Sequence, residues 1–124
     1  MNKQLTIVKS SILVPIAYML FIFILSSIPA TEDKLAGQIP MNPMVGNLFH
    51  IPLFGMLAFL WMGYFREKGF KFIKAALFTM VIVVLYAFTD EFHQMFVPGR
   101  YASFLDITLD TLGCLGVVLM WRKF

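Results

Sequence analysis

The stretch KAALFTMVIVVLYAF, Lys74–Phe88, runs without a break into TDEFHQMFVPGR, Thr89–Arg100. The first part is apolar almost throughout, and with its flanks it approaches the roughly 20 residues that a membrane-crossing helix needs. The second part sets Asp90, Glu91, His93, Gln94 and Arg100 at the end of that helix. A helix that is hydrophobic all round and then abruptly polar predicts a membrane span that opens onto a polar site.

Working outward, three further runs have the same character. They are residues 10–28, residues 47–65 and residues 103–121, beside 72–96 for the central one. The expectation is an all-α, polytopic membrane protein, a four-transmembrane-helix bundle forming one domain over residues 1–124. Composition agrees: 60% of residues are hydrophobic and 14% charged, against about half and about a quarter in soluble domains. Pro15 and Pro52 fall inside two runs, which membrane helices tolerate when neighbours satisfy the freed backbone groups. Residues 10–28 could also be read as a signal peptide, with SSIPA as its cleavage site. The apolar stretch is longer than a usual signal core, so an uncleaved first span is expected.

Basic residues set the orientation. Lys3 and Lys9 precede the first run, Arg66, Lys68, Lys71 and Lys74 separate the second and third, and Arg122 and Lys123 follow the fourth. The other two connections carry only Lys34 and Arg100. The positive-inside rule then places both termini in the cytoplasm and the motif loop outside, in a bacterial cytoplasmic membrane. Trp61, Tyr64 and Trp121 would mark the inner interface. The formal charge of +3 is explained by these flanks, and no basic patch suggests nucleic acid. A single cysteine, Cys114, excludes an intrachain disulfide and a cysteine-built zinc site.

At about 100° per residue, Asp90, His93 and Gln94 share one helix face, with Glu91 at its edge and Tyr86 a turn below. Phe92, Met95 and Phe96 fall opposite. Pro98 and Gly99 end the helix. In SFLDITLD, Asp106 and Asp110 are spaced i, i+4 and stack on one face, and Gly113 continues that face where a neighbouring helix can approach. Ser103 and Asp106 also fit a capping box, but Asp110 lies too deep for capping. His50, at the outer end of the second run, either joins this group or is a satisfied core histidine. Carboxylates in a membrane helix are costly unless paired or wet, so a converging polar site is expected. Two adjacent carboxylates, Asp90 and Glu91, disfavour each other's ionisation and leave Glu91 able to donate a proton.

DEFHQMFVPGR followed by SFLDITLDTLG resembles the VanZ-like family of bacterial membrane proteins, and NLFHIPLFGMLAFL resembles that family's preceding helix. By position the motif residues are Asp90, Glu91, Gln94, Pro98, Gly99, Arg100, Asp106 and Gly113. The chain departs twice: the family commonly has Asn at the place of Asp110, and Lys at the place of Asn47. Both changes make this site more acidic. The resemblance implies a link to glycopeptide, specifically teicoplanin, resistance and to the cell envelope.

Three functions follow as expectations. The first is binding or modification of envelope material, peptidoglycan precursor or lipid headgroup, with Asp90, Gln94, Arg100, Asp106, Asp110 and His50 as substrate-binding residues. Arg100 would hold a phosphate or carboxylate. The second is an enzyme acting on a lipid-linked substrate, with Glu91 or His93 as acid or base. A divalent cation on Asp90, Asp106 and Asp110 would bring phosphoryl chemistry within reach. The third is a structural or partner subunit with an ion-paired cap. The expected partners are membrane lipids or lipid-linked precursors; the sequence names no protein partner and fixes no cofactor.

Overall fold

The computed structural model describes residues 11–28, 50–97 and 104–123. They form four α-helices: α1 (Leu13–Ser26), α2 (His50–Glu67), α3 (Phe72–Gln94) and α4 (Phe104–Trp121). Among the described residues there is no strand. At 1.5 Å per residue, α3 is about 35 Å long and α1 only about 21 Å. Helices α3 and α4 are long and apolar enough to cross a membrane, and α1 is a shorter apolar helix.

Helix α1 begins and ends inside its apolar run, with Ile12 and Ile28 beyond its ends, whereas α2 continues to Glu67, past the last apolar residue of its run. Pro15 is the third residue of α1, in a first turn whose N–H groups have no intrahelical acceptor, so it does not interrupt a helix interior. Pro52 is the third described residue of α2.

The turn from α2 to α3 follows from REKGF, Arg66–Phe70. Gly69 adopts φ +89°, which only glycine enters without a Cβ penalty. Its N–H donates to the Arg66 carbonyl at 3.1 Å, and the Phe70 N–H donates to the Phe65 carbonyl at 3.1 Å. This is the Schellman termination, and the expected hydrophobic contact accompanies it: the Phe65 and Phe70 rings stack at 5.3 Å. Lys74 lies 4.9 Å from the Phe70 ring centroid and Lys68 lies 5.6 Å from that of Tyr64. Trp61 stacks on Phe65 at 5.5 Å. One end of the bundle is thus aromatic and basic.

The core is small. Phe54, Leu57, Ala58 and Met62 of α2 meet Val83 and Ala87 of α3 and Cys114 of α4, with Ile22 of α1 closing one side. The α2–α4 interface is the most extensive of the five helix contacts. It is close because Gly113 faces the Ile51 backbone, where a Cβ would collide with the carbonyl oxygen. The outward faces carry large exposed apolar side chains along every helix, Leu20, Met56, Leu85 and Leu119 among them. A soluble protein rarely shows so continuous an apolar coat. Threonines on these faces return their hydroxyls to the backbone: Thr89 to Leu85, Thr108 to Phe104 and Thr111 to Ile107, at 2.8–2.9 Å. Such back-bonding keeps a hydroxyl satisfied where water is absent.

Candidate functional site

Opposite the aromatic and basic end, all four helices present polar side chains. Helix α3 buries a stripe through Ala75, Thr79, Val83 and Ala87 that continues as Asp90, Glu91 and Gln94. Helix α4 buries Asp106 and Asp110 on the face that continues as Gly113 and Cys114. His50 is the first residue of α2, and Ser26 the last of α1.

The pairings are specific. The Ser26 hydroxyl donates to Asp90 Oδ1, and Gln94 Nε2 donates to Asp90 Oδ2 at 3.1 Å. Both oxygens of Asp90 are therefore engaged, one across helices and one along its own. His50 Nδ1 lies 2.8 Å from Asp110 Oδ1, with the Asp110 side chain fully buried and His50 14% exposed. The Ser26–Asp90–Gln94 group thus ties α1 to α3, and the His50–Asp110 pair ties α2 to α4. On the α1 side, His93 Nε2 is 2.9 Å from the Ser27 hydroxyl, and its ring stacks on Phe23 at 4.3 Å. Two tyrosines fasten α1 below the site: Tyr86 donates to the Met19 carbonyl, and Tyr18 donates to the Leu53 carbonyl at 2.8 Å.

Of the residues singled out in the sequence, Asp90 pairs with Gln94 and His50 with Asp110, Asp106 is buried one turn before Asp110 on α4, and Phe92, Met95 and Phe96 are exposed. Glu91 is buried, like Asp90 and Gln94. His93 sits apart from the His50–Asp110 pair, at the contact with α1. Arg100, Pro98, Gly99 and the Ser103 half of the capping box lie outside the described residues. Asp90, Asp106 and Asp110 do not form a metal-ligand set: among the described residues, no three His, Cys, Asp or Glu side chains are so grouped. Two oxygens stand out. Asp106 Oδ1 and Asp110 Oδ2 are buried and meet no hydrogen-bond donor among the described residues.

Sequence reasoning missed Ser26 and Ser27. Their signal was present: two hydroxyls close an otherwise apolar helix on the side where the carboxylates gather. They read instead as part of a cleavage-site pattern.

These features define a protein whose described residues are all helical, with two helices of membrane length and with buried acidic side chains on α3 and α4. The chain belongs to the VanZ/LLP1 family, whose family model matches residues 2–124. No curated protein and no solved structure matches it.

Proposed function

We propose that the chain is a four-span protein of the bacterial cytoplasmic membrane whose polar site faces outward and binds or modifies envelope headgroup material. Several features support this topology. The aromatic and basic end carries Arg66, Lys68 and Lys74, as a cytoplasmic interface does, and the acidic site lies at the other end. Helix α1 contributes Ile22 to the core and Ser26 to the site, which favours its retention as a span. The observation that supports the functional reading is that Ser26, Asp90 and Gln94 form one buried polar group and His50 and Asp110 another, with Asp106 buried one turn from Asp110, toward the same end of the bundle. Polar groups held at such cost in an apolar bundle mark functional sites. Family membership adds the association with glycopeptide resistance, whose drugs act on lipid-linked precursors outside the membrane.

The test is native mass spectrometry of the detergent-purified protein with lipid-linked envelope precursors, beside Arg100→Ala and Glu91→Ala variants. Retention by the wild type and loss by folded variants is the expected result. Failure of any precursor to remain bound would leave the polar end as a structural cap or a partner site.

The His50–Asp110 pair favours a second reading, an enzyme on a lipid-linked substrate. A carboxylate on one imidazole nitrogen fixes the tautomer and ring orientation for proton transfer at the other. His50 then joins Glu91 and His93 as a proton-transfer group. Release of product from a labelled precursor by the purified protein, abolished in His50→Gln, separates turnover from binding.

A further inference from the structure

We propose that the acidic site takes a primary ammonium group, held between Asp106 and Asp110. The inference rests on the reading of this end of the bundle as a headgroup site, and it names the chemistry of the headgroup.

The side chains of the site divide into satisfied and unsatisfied acceptors. Asp90 accepts from Ser26 and Gln94, so both of its oxygens are engaged. Asp110 Oδ1 is engaged by His50. Asp110 Oδ2 and Asp106 Oδ1 are buried without a donor among the described residues. Both residues are more than nine-tenths buried. An ionised carboxylate only accepts hydrogen bonds, so what completes these two must donate. An unmade hydrogen bond to a buried charged group is among the more costly defects a fold can hold.

The geometry selects among donors. The two carboxylates sit one helical turn apart on the same face of α4, with Cβ atoms separated by about 5–6 Å in such pairs. One compact group with several N–H bonds bridges that spacing, and an ammonium carries three such bonds. A guanidinium pairs best with both oxygens of one carboxylate, but His50 already occupies one oxygen of Asp110. A calcium ion asks for six or more oxygen ligands, and among the described residues no three His, Cys, Asp or Glu side chains are grouped to hold a metal. Asp106 stands in the first turn of α4 and Asp110 one turn deeper, toward the end of the bundle read above as the headgroup site.

The experiment uses the full chain in lipid nanodiscs or detergent. Four probes are compared by native mass spectrometry or by competition: phosphatidylethanolamine, its N-acetylated counterpart, phosphatidylglycerol, and Nα-acetyl-lysine amide. The expected result is retention of an amine probe at least about tenfold more tightly than its uncharged or anionic counterpart, the scale of a hydrogen bond to a charged group. Asp106→Asn and Asp110→Asn should each erase that preference while unfolding at or above the wild-type temperature. Preference confined to phosphatidylethanolamine identifies a lipid source, and preference confined to the lysine amide identifies a peptide source. Equal binding of the N-acetylated lipid or of phosphatidylglycerol overturns the ammonium assignment and leaves the headgroup site standing. So does a preference that survives in both folded Asn variants. Absence of binding by every probe overturns both.

Discussion

Replacing Gly113 by alanine puts a methyl group where α2 and α4 touch. The added Cβ would meet the Ile51 carbonyl oxygen, with the carbonyl carbon at 3.1 Å and Cα at 3.2 Å. All three are backbone atoms, so no side chain can swing aside and the helices must part. Overpacking of this kind costs about 1–3 kcal/mol. Alanine also favours a helix over glycine by about 0.5–1 kcal/mol, which masks part of the cost. Gly116→Ala supplies the correction. It lies on the same helix, and a Cβ there meets nothing within 4 Å, so it gains the propensity without the clash. The predicted difference between the two variants is therefore about 1–3 kcal/mol, with Gly113→Ala the less stable. Reversible unfolding in mixed micelles, followed through Trp61 and Trp121 fluorescence, measures it. The site should register the same change. His50 adjoins Ile51, and parting the helices by about 0.7 Å takes its 2.8 Å bond with Asp110 to the 3.5 Å limit. A Gly113→Ala protein as stable as Gly116→Ala would refute the close-packing argument.

Three other outcomes are expected. His50→Phe leaves Asp110 buried without its partner and should cost about 3–5 kcal/mol; adding Asp110→Leu should restore most of it, and additive losses in that double-mutant cycle would count against the pairing. Ser26→Ala removes the cross-helix donor to Asp90 and should cost about 1–3 kcal/mol, non-additively with Gln94→Leu because both donate to one carboxylate; full additivity would place them in separate networks. Gly69→Ala should cost about 1–2 kcal/mol from its positive φ alone, since no atom lies within 4 Å of the added Cβ, whereas Gly69→Asn should cost less; equal unfolding midpoints for all three proteins would contradict the Schellman turn.

The polar face of α3 was legible in the sequence because one rule, 100° per residue, separates Asp90 and Gln94 from Phe92, Met95 and Phe96. The i, i+4 spacing likewise put Asp106 and Asp110 on one face. What periodicity does not contain is the register between helices. That His50 meets Asp110, and Ser26 meets Asp90, depends on where Gly113 lets α2 settle and on how far α1 extends. Glu91 shows the same limit: its angle on an isolated helix puts it at an edge, and packing by neighbouring helices buries it. The ends of α1 fall inside its apolar run because an apolar residue past the last turn looks the same as one within it. Arg100 and Ser103, prominent in the motif, lie outside the described residues.

The contacts that complete the site join residues 60 or more positions apart: 64 for Ser26 and Asp90, 66 for Ser27 and His93, 60 for His50 and Asp110. A ribosome makes the chain in one direction. Ser26 and His50 are synthesised first, and their carboxylate partners, Asp90 on α3 and Asp110 on α4, arrive afterwards, as His93 does after Ser27. A serine hydroxyl or a neutral imidazole waits in an apolar setting at far lower cost than a bare carboxylate does. Synthesis order thus has a prepared donor ready for Asp90 and for Asp110 when each enters the bundle, and a chain halted after α2 would carry the donors with no acid to receive them.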